Sequence, residues 1–334
     1  MSVRKLYPLV LTVALLFVAA SCDNDEDTET LPSLSGLYFN CPSFVAPGQA
    51  VPLTPHGVKH PDGGEIQYEW KVTPTMSSYV EEEVYVHWFT DTLQTCTVYC
   101  KASADDYYST SYSKDVMVVK SGLDGSLTDT GIMSTDRKVV VGGVDYYYSK
   151  LGNLEWFRNN LADDASGIPY VNESVMSDIF GRYYNYEEAL TACPQGWRLP
   201  TEDDWMDLAS ALGSPAAGKY SIFEDVASRL MVNASFNGVE ILEYWPEVGV
   251  VTNEAKLGFL PFGYAHLGNK NEAGQYSNAS FDGIFDYAVF WTADQVDEDM
   301  AYYRYFIADQ PDMLVGKGDR NTFGASVRCV RDAI

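Results

Sequence analysis

Basic residues are scarce in this chain: Lys and Arg number 22 against 47 Asp and Glu, a formal charge of −25. No basic cluster interrupts that balance, so the surface repels phosphate backbones and anionic head groups, which excludes nucleic acid and an electrostatically docked membrane as partners. Histidine is scarcer still. His56, His60, His87 and His266 are all there are, three of them in the N-terminal third. No histidine-based metal site or catalytic triad can therefore gather in the second half. No Cys-x-x-Cys pair occurs, which argues against structural zinc. The apolar run Leu9 to Ala20, broken by little except Thr12, is too short to span a bilayer. It follows Arg4 and Lys5 and ends in small residues, so residues 1–21 read as a signal peptide.

The residues after that run resemble a bacterial lipoprotein start. Ala19-Ala20-Ser21-Cys22 resembles a lipobox, cut before a cysteine that is then acylated, which makes Cys22 the lipidation site. Asp23, Asp25, Glu26 and Asp27 resemble the surface-export signal of Bacteroidetes lipoproteins, and residues 22–33 form an acidic, solvated tether. The expected location is the outer membrane, at the cell surface, with the lipid as the sole membrane link. The rest of the 334-residue chain is long for one core and comfortable for two.

Residues 34–120 alternate apolar and polar positions in short runs split by Pro and Gly, the pattern of antiparallel strands. Candidate strands are Leu37 to Cys41, Ala50 to Thr54, Ile66 to Val72, Val84 to Phe89, Thr95 to Ala102 and Lys114 to Val119. Six short strands in so few residues predict an all-β sandwich. Pro47-Gly48-Gln49, Tyr68-Glu69-Trp70 and Asp105-Asp106-Tyr107-Tyr108 resemble PKD-like and immunoglobulin-like modules of bacterial surface proteins. With Cys22 lipidated, five cysteines remain, an odd number that leaves one unpaired. Cys96, Val98 and Cys100 share one strand face, and Cys41 is expected to bridge to either Cys96 or Cys100.

Residues 121–134, rich in Gly, Ser, Thr and Asp, predict a linker before a second domain of mixed α and β character at 135–334. Strands are expected at Lys138 to Val141, Tyr146 to Ser149, Gly258 to Ala265, Ala288 to Thr292, Tyr302 to Ala308 and Ala325 to Arg331. Asn185 caps one helix with Glu188 three residues on, burying Ala189, Leu190 and Cys193. Thr201 caps the next with Asp204, and Trp205, Leu208, Ala209 and Leu212 lie on its buried face before a C-terminal Gly213. Glu202-Asp203-Asp204 sits in that helix's first turn, where carboxylates favour the positive end of the macrodipole, so no site is assigned to it.

The string Cys193-Pro194-Gln195-Gly196-Trp197-Arg198-Leu199-Pro200-Thr201-Glu202-Asp203-Asp204-Trp205 resembles the Fibrobacter succinogenes major paralogous (FISUMP) domain of Bacteroidetes surface lipoproteins. Gly181-Arg182-Tyr183-Tyr184-Asn185-Tyr186, Gly258-Phe259-Leu260-Pro261-Phe262-Gly263-Tyr264, Ser326-Val327-Arg328-Cys329-Val330-Arg331-Asp332 and Trp156 with Asn160-Leu161 agree with it. The resemblance implies a C-type-lectin-like fold, shared with sulfatase-modifying enzymes. It also implies a Cys193–Cys329 disulfide tying an early helix to the last strand. Enzymes on that fold need a pair of late thiols, and Cys329 stands alone, so no enzymatic activity is expected.

Gln310-Pro311-Asp312 resembles the sugar and calcium motif of galactose-binding lectins, but no Trp-Asn-Asp follows it. Asp319 and Asn321 would have to complete the ligands, and calcium needs six or more oxygens, so no cofactor is expected. Aromatic residues make up 14% of the chain, including 24 tyrosines. Tyr244, Trp245, Tyr264, Tyr276 and Trp291 flank predicted loops and are the rings expected to be exposed for stacking on sugar. The resulting expectation is two domains, an N-terminal all-β immunoglobulin-like sandwich and a C-terminal α+β C-type-lectin-like domain. Together they form a lipid-anchored surface protein that captures an extracellular polysaccharide or binds a surface protein. The alternative is a structural or protein-interaction subunit without sugar binding.

Overall fold

The computed structural model describes residues 31–74, 77–81, 84–119, 136–215, 217–238, 243–245 and 250–333. The signal peptide, Cys22, the tether up to residue 30 and the 121–134 linker lie outside the described residues.

The N-terminal strands are β1 Tyr38–Phe39, β2 Phe44–Val45, β3 Ala50–Leu53, β4 Pro55–His56, β5 Gln67–Thr73, β6 Ser77–Glu81, β7 Val84–Trp88, β8 Thr95–Ser103 and β9 Thr110–Val118. They form a four-stranded sheet in the order β2-β9-β8-β5, a three-stranded sheet β3-β7-β6, and the small pair β1-β4. Alternation along β8 turns Cys96, Val98, Cys100 and Ala102 inward, all fully buried. They meet Val45, Val116 and Val118 of their own sheet and Val51 and Leu53 of the other in one apolar core. Two layers around one core is the arrangement that the strand pattern predicts.

The expected bridge from Cys41 is not made: Cys41, Cys96 and Cys100 are free, buried thiols. Cys96 lies across from Val116, and Cys100 between Trp70 and Tyr112, so both are surrounded by strand neighbours. Cys41 sits at the flank, where its carbonyl accepts from Lys114. Burial pushes the Cys41 thiol up to about 11, and Cys100 up to about 12, which keeps both protonated and unreactive.

The second half contains β10 Lys138–Val141, β11 Val144–Leu151, β12 Leu154–Phe157, β13 Ile168–Pro169, α1 Ser177–Phe180, β14 Arg182–Tyr183, α2 Tyr186–Ala192, α3 Glu202–Ala211 and α4 Ala227–Leu230. There follow β15 Phe262–His266, β16 Ser280–Ile284, β17 Tyr287–Gln295, β18 Met300–Ile307, β19 Leu314–Asp319, β20 Phe323–Gly324 and β21 Val330–Asp332. One sheet runs β10-β11-β12-β21 and the larger one β16-β15-β17-β18-β19, with β20 paired to β15. Pairing of β12 with β21 joins the start of this half to its end, Trp156 lying opposite Val330. The Cys193–Cys329 disulfide fastens the same closure across 136 residues, with Cα atoms 5.8 Å apart.

Alternation along β17 separates two cores. Ala288 and Phe290 face a cluster with Trp156, Trp205, Phe259 and Phe306, while Val289 and Trp291 face another with Tyr184, Tyr186, Trp197 and Val327. Both helix starts are capping boxes, Asn185 with Glu188 and Thr201 with Asp204, and Gly213 follows α3 with φ +83°. On α2 the buried face is Tyr186 and Ala189, so Leu190 turns outward at 38% exposure, contrary to expectation. The predicted strand from Ala325 to Arg331 shrinks to β21. Its earlier carbonyls are spent on separate partners, Ala325 O accepting from Tyr184 N, Ser326 O from Trp291 N and Val327 O from Leu161 N.

The two halves meet at a built junction. The Glu173 carboxylate accepts from Ser43 N at 2.5 Å and Phe44 N at 2.6 Å, and Asn237 Nδ2 donates to Val118 O at 3.0 Å. The Phe44 ring packs near Tyr170 and Phe236.

Candidate functional site

Strand periodicity on β18 places Tyr303 and Tyr305 on one face, while Arg304 and Phe306 point into the opposite core. Tyr264 of β15, Tyr287 of β17 and Phe323 of β20 join them. The five rings close a circuit: Tyr264 to Phe323 at 5.6 Å, Phe323 to Tyr303 at 4.8 Å, Tyr303 to Tyr305 at 5.6 Å, Tyr305 to Tyr287 at 6.4 Å, and Tyr287 back to Tyr264 at 6.1 Å between centroids. All five are half-buried.

Glycines make the room. A Cβ on Gly316 would come within 2.4 Å of the Tyr303 ring, and one on Gly318 within 2.6 Å of the Phe323 ring. A glycine inside a strand commonly marks such a close approach, and two of them here seat two rings against β19. Trp291 forms the floor, fully buried, with Nε1 donating to Tyr184 O at 2.8 Å. His266 and Asp282 stand exposed at the rim, Nε2 to Oδ2 at 3.5 Å.

The hydroxyls distinguish this cluster from the other tyrosines of the domain. Tyr183, Tyr184 and Tyr186, all buried, donate to the carbonyls of Phe262, Leu161 and Ala293. No hydroxyl of Tyr264, Tyr287, Tyr303 or Tyr305 has a hydrogen-bond partner among the described residues, and none is among the buried unpaired atoms, so all four oxygens reach solvent. Burial first, then the neighbouring tyrosines, raises the Tyr303 and Tyr305 hydroxyls above their ordinary range; at Tyr264 burial is followed by Asp282 and then Tyr287. These three therefore stay neutral donors and acceptors at physiological pH.

Of the five rings expected to be exposed, the structure brings only Tyr264 into the circuit. Tyr244 and Trp245 are 1% and 4% exposed and belong to the opposite core, with Trp245 Nε1 donating to Phe259 O at 2.8 Å. Trp291 is the floor beneath the rings. These three are corrected from surface to core: both indoles bury because a backbone carbonyl accepts from Nε1, and Tyr244 because its ring packs among Phe180, Phe236 and Phe285. Tyr276 is half-buried, and its hydroxyl is committed to Glu188 at 2.7 Å beneath Lys270. Tyr287, Tyr303, Tyr305 and Phe323 were not anticipated. Their signal was present as the Tyr-Tyr-Arg-Tyr alternation of β18 and the Gly-Lys-Gly of β19.

The tentative calcium set does not converge. Gln310 and Asp312 precede β19, whereas Asp319 ends it and Asn321 follows, and the extended strand separates the two pairs by about 20 Å. Asp312 accepts from Asp225 N, and Asp319 accepts from Asn321 N, Thr322 N and the Thr322 hydroxyl. Among the described residues no group of three His, Cys, Asp or Glu side chains could hold a metal ion.

The acidic trio at α3 is absorbed by structure, residue by residue. Asp204 pairs with Arg198 and caps Thr201, Asp203 pairs with Lys219 at 2.8 Å, and Glu202 is fully buried against a fully buried Arg304. All three lie in the first turn of α3, and Glu202 there is also half of a buried ion pair.

The sequence model of the Fibrobacter succinogenes major domain matches residues 150–331, more than half of the chain. The chain belongs to that family. The Fibrobacter succinogenes major domain thus carries the ring circuit, the disulfide and both capped helices. No curated protein matches the chain. Among solved structures, the Yersinia pseudotuberculosis adhesin InvE is similar at 11% identity and a TM-score of 0.23, over 89% of this chain and 70% of that one. A likeness that loose carries no argument. Among the described residues no helix is long and apolar enough to cross a membrane.

Proposed function

We propose that this is a non-enzymatic, lipid-anchored binding protein of the cell surface, and that its Fibrobacter succinogenes major domain captures an extracellular polysaccharide through the five-ring circuit. The observation that carries this reading is the coincidence of clustered aromatic rings with four solvent-reaching hydroxyls that have no hydrogen-bond partner among the described residues. Sugars present apolar C–H faces ringed by hydroxyls, so rings supply contact area and phenol oxygens supply hydrogen bonds in one place. A lectin-like topology is supported by the β12–β21 closure and the disulfide beside it. The two-layer strand pattern supports an immunoglobulin-like N-terminal spacer, and the lipobox-like Cys22 supports the anchor.

Affinity electrophoresis against a panel of neutral polysaccharides tests the reading. Retarded migration that is lost in Tyr287→Ala and Tyr305→Ala, with melting temperature held, is the expected result. Free migration in every polysaccharide would overturn it in favour of a protein-interaction subunit.

A further inference from the structure

A second surface stands against the charge of the whole molecule. Beside the β10-β11-β12-β21 sheet, a cleft of about 350 Å³ is lined by ten residues, among them Arg137, Lys150, Arg158 and Lys256 with Asp136 and Glu254. In a chain of net charge −25, four of its ten lining residues are cations.

The carboxylates near them are already matched. Glu155, fully buried, is shared by Arg137 at 2.5 Å and Arg331 at 2.7 Å; Asp136 faces Arg158 at 2.7 Å; Glu254 lies 3.4 Å from Arg229. Lys150 and Lys256 are exposed and have no carboxylate partner among the described residues.

Arg158 gives the cleft a fixed element. It is 5% exposed, its Nε donates to the Ser149 hydroxyl at 2.9 Å and its Nη1 to Asp136. Its Nη2 has no acceptor among the described residues and is not among the buried unpaired atoms, so it opens on the cleft. A guanidinium held on two sides by the fold and free on the third is oriented before any ligand arrives. Tyr148, next to Ser149 on β11, turns to the other face, where Arg137 and Arg331 lie 5.3 Å and 4.9 Å from its ring centroid, so Arg158 and Ser149 stand apart from that stack.

We infer that this cleft binds the anionic group of an acidic saccharide, a carboxylate or sulfate received by Arg158 Nη2, with the exposed Lys150 and Lys256 at the rim. The inference rests on the glycan reading and adds a charged ligand class at a site on a different sheet from the ring circuit. The chain's overall charge repels polyanions, so an acidic ligand is admitted here only through local cations, and its binding must weaken steeply with salt.

The test uses the full chain with polygalacturonate, dextran sulfate and neutral dextran in affinity electrophoresis, and free galacturonate by calorimetry. Expected are binding of at least one acidic polymer at low salt and a Kd about tenfold higher in the Lys150→Ala/Lys256→Ala double variant at unchanged melting temperature. Arg158→Lys, which keeps charge but loses the planar donor, should weaken binding as well. Polygalacturonate and galacturonate responding together assigns the carboxylate, and dextran sulfate responding alone assigns the sulfate. No binding of either polymer or of galacturonate at low salt, or binding that the double variant leaves unchanged, would overturn the inference. Tyr287→Ala and Tyr305→Ala on neutral polymers report separately on the ring circuit, so failure at one site does not read as failure at the other.

Discussion

The two halves of this chain are held together by different means. The N-terminal sandwich relies on apolar alternation, and its three cysteines stay free in the core. The family domain is fastened by a disulfide, by the fully buried Glu202–Arg304 pair, and by Arg328, a buried guanidinium with no carboxylate partner among the described residues. Arg328 instead donates to the carbonyls of Phe157 and Leu257 and to Asn160 Oδ1, between the rings of Phe259 and Phe290. Apolar layers accept many residues of similar volume, whereas each polar lock demands one residue and its partner. The first half is therefore tolerant of substitution and the second tightly specified.

The largest break of that contrast is Cys193→Ser with Cys329→Ser. A cross-link spanning 136 residues contributes about 4 to 5 kcal/mol in the loop-entropy account. Calorimetry should show the family domain's transition falling sharply while the sandwich transition stays in place. Reductant should reproduce the effect, because the sandwich has no bond to lose. Equal shifts in both transitions would erase the distinction.

Next comes Glu202→Ala, which leaves Arg304 buried with Ser221 O at 2.6 Å as its remaining hydrogen-bond acceptor among the described residues, and should cost about 3 to 5 kcal/mol. Denaturant titration followed by the buried tryptophans checks it. A cost near that of an ordinary surface change would mean water reaches the pair.

The smallest effect is on pH. Burial pushes the Asp204 carboxyl up, but Arg198 and the Thr201 N–H and hydroxyl outweigh it and hold it below the usual range. At Glu188 burial is likewise outweighed by Lys270, Tyr276 and Asn185. Their unfolded counterparts take up protons near pH 4, so the stability these groups contribute is complete above about pH 4 and drains as pH falls toward the lower folded values. Thermal melts across that window should show the family domain's transition dropping, and Asp204→Asn should flatten the slope. A slope unchanged by that substitution would assign the acid sensitivity elsewhere.

What could be read before folding follows the same contrast. Alternation places β3, β5, β7 and β8 closely but not β2, β4 or β6; β2 and β4, at two residues each, are too short to carry a period. Capping boxes at Asn185 and Thr201 were legible since both partners lie within one turn. Glu202 was not, because Arg304 is 102 residues away and only the fold brings them together. The site was half-visible: rings beside loops were chosen as exposed, yet Tyr244, Trp245 and Trp291 found backbone or core neighbours and sank. The surface rings come instead from β15, β17, β18 and β20 and the glycines from β19, a juxtaposition of five separate segments.

The most direct measurement is the migration of the wild-type chain and of Tyr287→Ala/Tyr305→Ala through gels containing neutral polysaccharide, with both melting transitions recorded. Retardation of the wild type that disappears in the variant at unchanged melting temperatures is the predicted result. Unretarded wild type throughout the panel, or equal retardation of both proteins, would contradict the binding role assigned to the rings.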